Sequence, residues 1–344
     1  MKLLGVVLCY NDADILRDVI GHLVANGHDI IAWDHGSTDG TAQVLDDFSD
    51  AIVERRLIPR TFDFYEMYPA MSRHLMQDYV RQYDWISWPD DDEILEGPHR
   101  NRSYGDYLAE MADSPYDWIQ FLNFNFWVTE EDDLDVLSPN QRIHRYAVFP
   151  NCAPRIRSWR AGVTNVREFN HNPLPGNRSP SVFRLRHYPA RTYAQLYRRI
   201  FIDRANMQRG AQNFHYNGLL ANLAMTTIPA SALLLDDGQA DLSDEPVFDW
   251  LSLYSGAAQS EYANRPLVAG GESVARASGR ASDGEPASLE DLAVEVARLV
   301  MDNDVARATE FYLQHRVRFD GDPMIGQFDE AMRALRADRD SAEQ

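Results

Sequence analysis

The chain has 344 residues, enough for one large α/β domain with an appendage, and 44% of them are apolar, enough for a sizeable core. It carries 33 Lys and Arg against 53 Asp and Glu, a formal net charge of -20. A field of that sign repels phosphate backbones and anionic lipid, which argues against general nucleic-acid binding and against broad electrostatic docking on a membrane.

Residues 3–9 (LLGVVLC) form a continuous apolar run, the pattern of a strand buried on both faces. Asn11 and Asp12 follow and can cap what comes next. Ile15, Leu16, Val19, Ile20 and Leu23 recur at helical spacing, and Gly27 ends that helix. Residues 29–33 (DIIAW) predict a second buried strand. It stops at the turn cluster Asp34 to Gly40, in which Ser37 and Thr38 can cap a helix over 41–48. Further elements are a strand over 51–57, a helix over 66–83 and a strand over 84–88. Strand and helix alternating at this spacing predict a doubly wound parallel sheet, in which ligands bind at the carboxyl ends of the strands. Three polar clusters fall at such ends: Asn11-Asp12, Asp34 to Asp39, and Asp90 to Glu93.

Beyond residue 100 the pattern is mixed. A short helix is expected over 104–111, strands over 118–128, 142–149 and 181–187, and a helix over 192–208. Residues 266–287, rich in Gly, Ala and Ser, read as a linker, followed by helices over 288–316 and 323–337. The expected division is a domain over 1–240, with a nucleotide-binding half to residue 100 and an acceptor-binding half after it. A connecting segment over 241–287 and a helical appendage over 288–344 complete it. Lys2 is the only lysine, so any other cation beside a phosphate must be Arg or His; Arg191, Arg198, Arg199 and Arg204 are close enough in sequence to form a local basic groove. Cys9 and Cys152 suggest neither a disulfide framework nor a zinc site. No small-residue cleavage site follows the opening MKLLGVVLCY, and no apolar run approaches the ~20 residues of a membrane span, which predicts a cytoplasmic protein.

The sharpest chemistry lies in Asp90-Asp91-Asp92-Glu93. Hard divalent cations take oxygen ligands and keep positions open for phosphate oxygens. Two carboxylates two residues apart at a strand exit can share one metal–diphosphate unit. A solvated acidic turn is the bland alternative, and the preceding WISW, a buried-strand pattern, weighs against it. Asp34 at its strand end can accept bonds from a base or ribose.

The segments CYNDADIL, IIAWDHGSTDGT and DWISWPDDDEIL, in that order and at these distances, resemble glycosyltransferase family 2, whose members have the GT-A fold. The match covers about residues 3–96 well and extends more weakly to about 210. The resemblance implies a GT-A type, Rossmann-like, mostly parallel sheet, a nucleotide-sugar donor with UDP as the default, and Mn²⁺ or Mg²⁺. It places Tyr10, Asn11 and Asp12 at the nucleotide pocket, Asp34 on the base, Asp39 on the loop or ribose, and Arg73 near the nucleotide. Asp90 and Asp92 form the Asp-x-Asp, with Asp92 favoured for the metal; the extra Asp91 leaves the register open by one. Arg186-His187-Tyr188 resembles a His-Tyr element whose His completes the metal shell or touches the diphosphate. Arg191, Arg198 and Arg199 could then neutralise the leaving group.

The family's catalytic base usually lies in an acidic pair downstream. Here Val166-Arg167-Glu168 stands at that distance, which makes Glu168 the expected base, with Glu130, Glu131, Asp132 and Asp133 as rivals. The acceptor can be a glycan, a lipid-linked glycan or a small molecule, and the helical tail can serve as a dimer contact. Trp127 or Trp159 is expected to stack on a sugar. A nucleotidyltransferase would want a Gly-rich basic first loop, and Tyr10 to Asp14 is acidic instead. A non-catalytic nucleotide- or sugar-binding protein is the remaining alternative.

Overall fold

A computed structural model of the chain describes residues 1–62, 64–148, 155–163, 176–192, 195, 230–244 and 305–320, with single residues between 286 and 332. The first half is β1 (Leu3–Cys9), α1 (Ala13–Ala25), β2 (His28–Asp34), α2 (Thr41–Asp47), β3 (Ile52–Leu57), α3 (Phe64–Asp78) and β4 (Trp85–Ser87). Their strands run parallel in the order β3-β2-β1-β4. The order reverses between β1 and β4, which is where such sheets open a crevice.

All seven residues of β1 are buried, because helices cover both of its faces. Leu4, Val6 and Leu8 meet Met67, Met71 and Leu75 of α3, while Val7 and Cys9 meet Leu16, Ile20 and Leu23 of α1. The five apolar positions predicted for α1 are the five it buries. Helix α3 ends at Asp78 rather than 83; Tyr79 and Val80 still donate to Leu75 O, closing the last turn.

The second half is β5 (Glu93–Glu96), α4 (Tyr104–Met111), β6 (Trp118–Trp127), α5 (Pro139–Arg142), β7 (Arg145–Val148), β8 (Arg155–Arg160), β9 (Arg178–Ala190) and β10 (Leu234–Leu235). Here the pairing turns antiparallel: β4 with β8, β8 with β6, β6 with β7, β7 with β10 and β5 with β9. Only β6 with β9 is parallel. The sheet is therefore mixed, wholly parallel in its first half and mostly antiparallel in its second. The strand expected over 142–149 is shortened because Ser138 and Pro139 start one helical turn before it; the Ser138 side chain accepts from Gln141 N. Arg100 grips Asp236 through both guanidinium arms, at 2.6 and 2.7 Å, and Arg184 holds Asp241 at 2.7 Å, so residues 230–244 are tied to β5 and β9.

Farther on, α6 (Val305–His315) runs into a 3-10 turn over Arg316–Phe319, and Asp329 receives bonds from Tyr312 and Arg316. Most of the helix expected over 192–208 lies outside the described residues, as do Cys152 and all of the expected 266–287 linker except Pro286. No helix among the described residues is long and apolar enough to cross a membrane.

Candidate functional site

The exits of β1, β2 and β4 meet at the crevice. Asn11, just past β1, adopts φ 54, a left-handed conformation that asparagine tolerates. That turn aims its backbone N–H at Ser37 Oγ (3.0 Å) and its side-chain oxygen at Thr38 N (2.7 Å). Asp34, 3% exposed, accepts Ser37 N at 2.8 Å and closes the loop after β2. Asp39 braces both sides, accepting Ala13 N at the start of α1 (3.1 Å) and Thr41 N at the start of α2 (2.9 Å).

These contacts revise the expected caps. Asp12 offers α1 only its carbonyl, and Ser37 and Thr38 do not cap α2. The Asp12 side chain turns instead to Arg191, a fully buried guanidinium that also holds Asp14 at 2.7 Å and stands 4.0 Å from Asp92. Burial opposes that charge, but the carboxylates of Asp12 and Asp14 outweigh it and raise the pKa above the ordinary arginine value. Arg191, expected from the sequence to neutralise the diphosphate, is thus paired with carboxylates here. Arg198 and Arg199 lie outside the described residues.

After β4 the four acids separate into distinct roles. Glu93 is fully buried between Arg155 and Arg157, and Arg157 reaches on to Asp90 Oδ2 at 2.6 Å. Burial works against the Arg157 charge, yet Asp90 and Glu93 raise its pKa. Asp91 accepts Tyr10 N at 3.3 Å, joining this loop to the exit of β1. Asp92, 2% exposed, places Oδ1 3.4 Å from His187 Nε2. Its carbonyl accepts Tyr188 N at 2.9 Å, extending the β5–β9 register in which Glu93 lies opposite His187. Asp90, expected as a metal ligand, anchors its carboxylate to Arg157, and Asp92 is the acid that faces His187.

Among the described residues no group of three His, Cys, Asp or Glu could hold a metal ion by itself. Asp92 and His187 supply one oxygen and one nitrogen donor. That set suits Mn²⁺ or Mg²⁺ if phosphate oxygens and water complete the shell.

Tyr10 carries the Arg60 guanidinium 3.7 Å above its ring, and Arg60 Nη1 donates to His35 Nδ1 at 2.8 Å. His35 Nε2–H in turn donates to Phe62 O at 2.9 Å. Gly36 has φ +68, and a Cβ there would stand 3.0 Å from Arg60 Cγ, so the bare glycine admits this approach. Sequence reasoning missed Arg60. The available signal was its place just past β3, the one strand exit of the parallel half at which no polar cluster was expected.

The structure does not bring Arg73 to these groups. It is exposed on α3, whose Met67, Met71 and Leu75 face the sheet, and position 73 lies on the opposite side. Glu168 lies outside the described residues. The rival bases have partners of their own: Glu131 pairs with Arg145 at 2.7 Å, Asp132 accepts Thr129 N, Asp133 accepts Asp135 N, and Glu130 accepts Ala230 N. Trp127 and Trp159 are 1% and 3% exposed, so they are core and not sugar platforms.

No protein-family model matches the chain, and no curated protein matches it. Among solved structures, the chain is similar to glucosyl-3-phosphoglycerate synthase from Mycobacterium tuberculosis in complex with Mn²⁺, UDP and glucosyl-3-phosphoglycerate. There the identity is 17%, the TM-score 0.24, and the match covers 37% of this chain and 44% of that one, less than half its length. It is also similar to S. aureus TarS 1-349 in complex with UDP, at 11% identity and TM-score 0.32, over 98% of this chain and 92% of that one.

Proposed function

We propose that the chain is a metal-dependent glycosyltransferase that moves a sugar from a nucleotide-activated donor to an acceptor hydroxyl. The observation that carries this reading is the meeting of three strand exits at one crevice. One offers Tyr10 with Arg60, the second the Asp34 loop, and the third Asp92 facing His187. A base and ribose need a flat platform and a buried acceptor, which Tyr10 and Asp34 supply. A donor diphosphate needs oxygen- and nitrogen-held cationic charge, which Asp92 and His187 can hold as Mn²⁺ or Mg²⁺. When bound, that ion would neutralise charge developing on the leaving diphosphate. The family resemblance favours UDP as the nucleotide.

The acceptor hydroxyl loses its proton to a carboxylate as its oxygen attacks the anomeric carbon opposite the diphosphate, which inverts the configuration. Glu168 is the residue proposed for that base. The acceptor is a glycan, a lipid-linked glycan or a small molecule. Residues 1–240 form the transferase domain in this reading, and the helical segment after 288 is its appendage and a surface for self-association.

The test is thermal unfolding with a panel of nucleoside diphosphates, with and without Mn²⁺, on wild type and Asp92→Ala. A ligand that binds only the folded state at ~100 times its Kd adds about 2.7 kcal/mol, a readable shift in Tm. One diphosphate should stabilise wild type in the presence of metal, and Asp92→Ala should abolish the shift. If no nucleotide moves either protein, the transferase reading fails. If nucleotide binds but no sugar donor is turned over, a non-catalytic binding protein takes its place.

A further inference from the structure

Strand β6 buries two amides in an otherwise largely aromatic and apolar run: Asn123 is 3% exposed and Asn125 1%. Asn125 Oδ1 lies 2.7 Å from His187 Nδ1 and accepts Asn123 Nδ2–H at 3.4 Å. The other two amide atoms, Asn123 Oδ1 and Asn125 Nδ2, are buried with no hydrogen-bond partner among the described residues. Each unsatisfied buried group costs stability, because its hydrogen bonds to water are lost without replacement. Valine or leucine would avoid that cost and suit the strand better. The cost falls where the parallel register sets Asn125 beside His187.

An amide oxygen only accepts, so the ring nitrogen facing it carries the proton. The neutral ring then presents the lone pair of Nε2, and Nε2 is the atom that faces Asp92 Oδ1 at 3.4 Å. Asn123 adds a second constraint. Were the Asn125 amide turned over, its Nδ2 would meet Asn123 Nδ2, donor against donor. Turning it over would require Asn123 to turn as well, so the two amides are coupled and set the ring as a pair. We infer that Asn123 and Asn125 form a tautomer lock on His187, with Asn125 a positioning residue that keeps the Nε2 lone pair directed at Asp92. Its use for ion binding rests on the reading of Asp92 and His187 given above; its core concerns only where one proton sits.

The first test needs neither metal nor nucleotide. The intact protein is labelled with ¹⁵N-histidine, and the His187 ring signals are identified by their absence in His187→Gln. The expected ring has Nδ1 protonated and Nε2 bare; an Nε2–H or doubly protonated ring overturns the lock. The second test compares Asn125→Leu, which removes the acceptor at similar volume, with Asn125→Asp, which keeps one. Asn125→Leu should lose the single tautomer and weaken Mn²⁺ binding, measured by electron paramagnetic resonance in the presence of UDP, by roughly 10–100-fold. Asn125→Asp should retain the Nδ1–H ring. A ring unchanged in Asn125→Leu overturns the proposal, and the wild-type measurement decides it even if that variant fails to fold. If the wild-type ring is as expected but Asp92→Ala and His187→Gln leave Mn²⁺ binding untouched, the ion-site reading fails and the lock stands.

Discussion

His28 lies out of water, its Nδ1–H donating to Leu23 O at 3.0 Å, its Nε2 accepting from the Ser87 hydroxyl at 3.0 Å, and its ring stacked on Tyr104. Burial lowers its pKa from 6.5 to about 4. Above pH 6.5 both folded and unfolded chains hold a neutral ring. As the pH falls below that value, the unfolded chain takes up a proton that the folded chain refuses until about pH 4, so stability is lost on acidification. The loss across that window should be about 3 kcal/mol for this one residue, to order of magnitude. Urea unfolding at a series of pH values would show it, and His28→Gln should flatten the acid slope by that amount. An unaltered slope in the variant would remove His28 as the cause. His22, also lowered by burial, adds to the wild-type slope with the same sign.

Residues of this kind mark the limit of what the chain declares locally. Asp34, Asp91, Asp92 and His187 could be picked out because each follows or ends a strand whose apolar run is visible. The partnerships that assign their work could not. Arg157 and Glu93 are 64 residues apart in the chain and Arg191 and Asp12 are 179 apart. No periodicity or spacing records a pairing over such distances, so neither the Arg157 contact of Asp90 nor the carboxylates around Arg191 could be read from the sequence. Asn125 was hidden for a different reason: in an aromatic strand an asparagine looks like noise until the parallel register sets it beside His187.

At the level of elements, the helices that cover the sheet are placed by contacts too close for a side chain. The second residue of α4, Gly105, donates its N–H to Asn26 Oδ1 at 2.7 Å, and a Cβ added there would lie 2.9 Å from the Asn26 carbonyl oxygen. This docks the start of α4 on the end of α1, and α4 carries Tyr104, whose hydroxyl lies between Ser87 on β4 and Ser158 on β8. Two effects compete in Gly105→Ala. Alanine is the better helix former by roughly 0.5–1 kcal/mol. Backbone cannot swing aside as a side-chain end can, so overpacking should cost about 1–3 kcal/mol. The variant should therefore be less stable, with a lower Tm and faster hydrogen exchange in the 101–108 segment than elsewhere. A gain in Tm would mean that α4 shifts at little cost. The parallel half was legible because helices cover both faces and its strands are continuous apolar runs. The antiparallel half was less so. Strand β9 pairs with β5 on one side and β6 on the other while bearing Arg178, Arg184 and Arg186, charges that hide a strand from a reading based on hydrophobicity. The charges of Arg184 and Arg186 are matched by Glu96, Asp236 and Asp241, which arrive from elsewhere in the chain.

Across the whole molecule the same matching decides how an anionic ligand meets the protein. Arg100, Arg155, Arg157, Arg184, Arg186 and Arg191 each sit against a carboxylate, so much of the positive charge is neutralised internally while the net charge stays at -20. Under the proposed function, a nucleoside diphosphate approaches through a repulsive field and, among the described residues, meets cationic charge at short range where Arg60 lies over Tyr10. Salt screens the long-range part first: the Debye length falls from about 30 Å at 0.01 M to about 8 Å at 0.15 M. The association rate of the nucleotide should accordingly rise with ionic strength over that range, the reverse of an electrostatically steered pair. Stopped-flow binding at several salt concentrations would measure it. Arg60→Ala should raise the dissociation rate more than it lowers the association rate, since its contact is made after encounter. An association rate that falls with salt would mean that the crevice is locally positive despite the net charge.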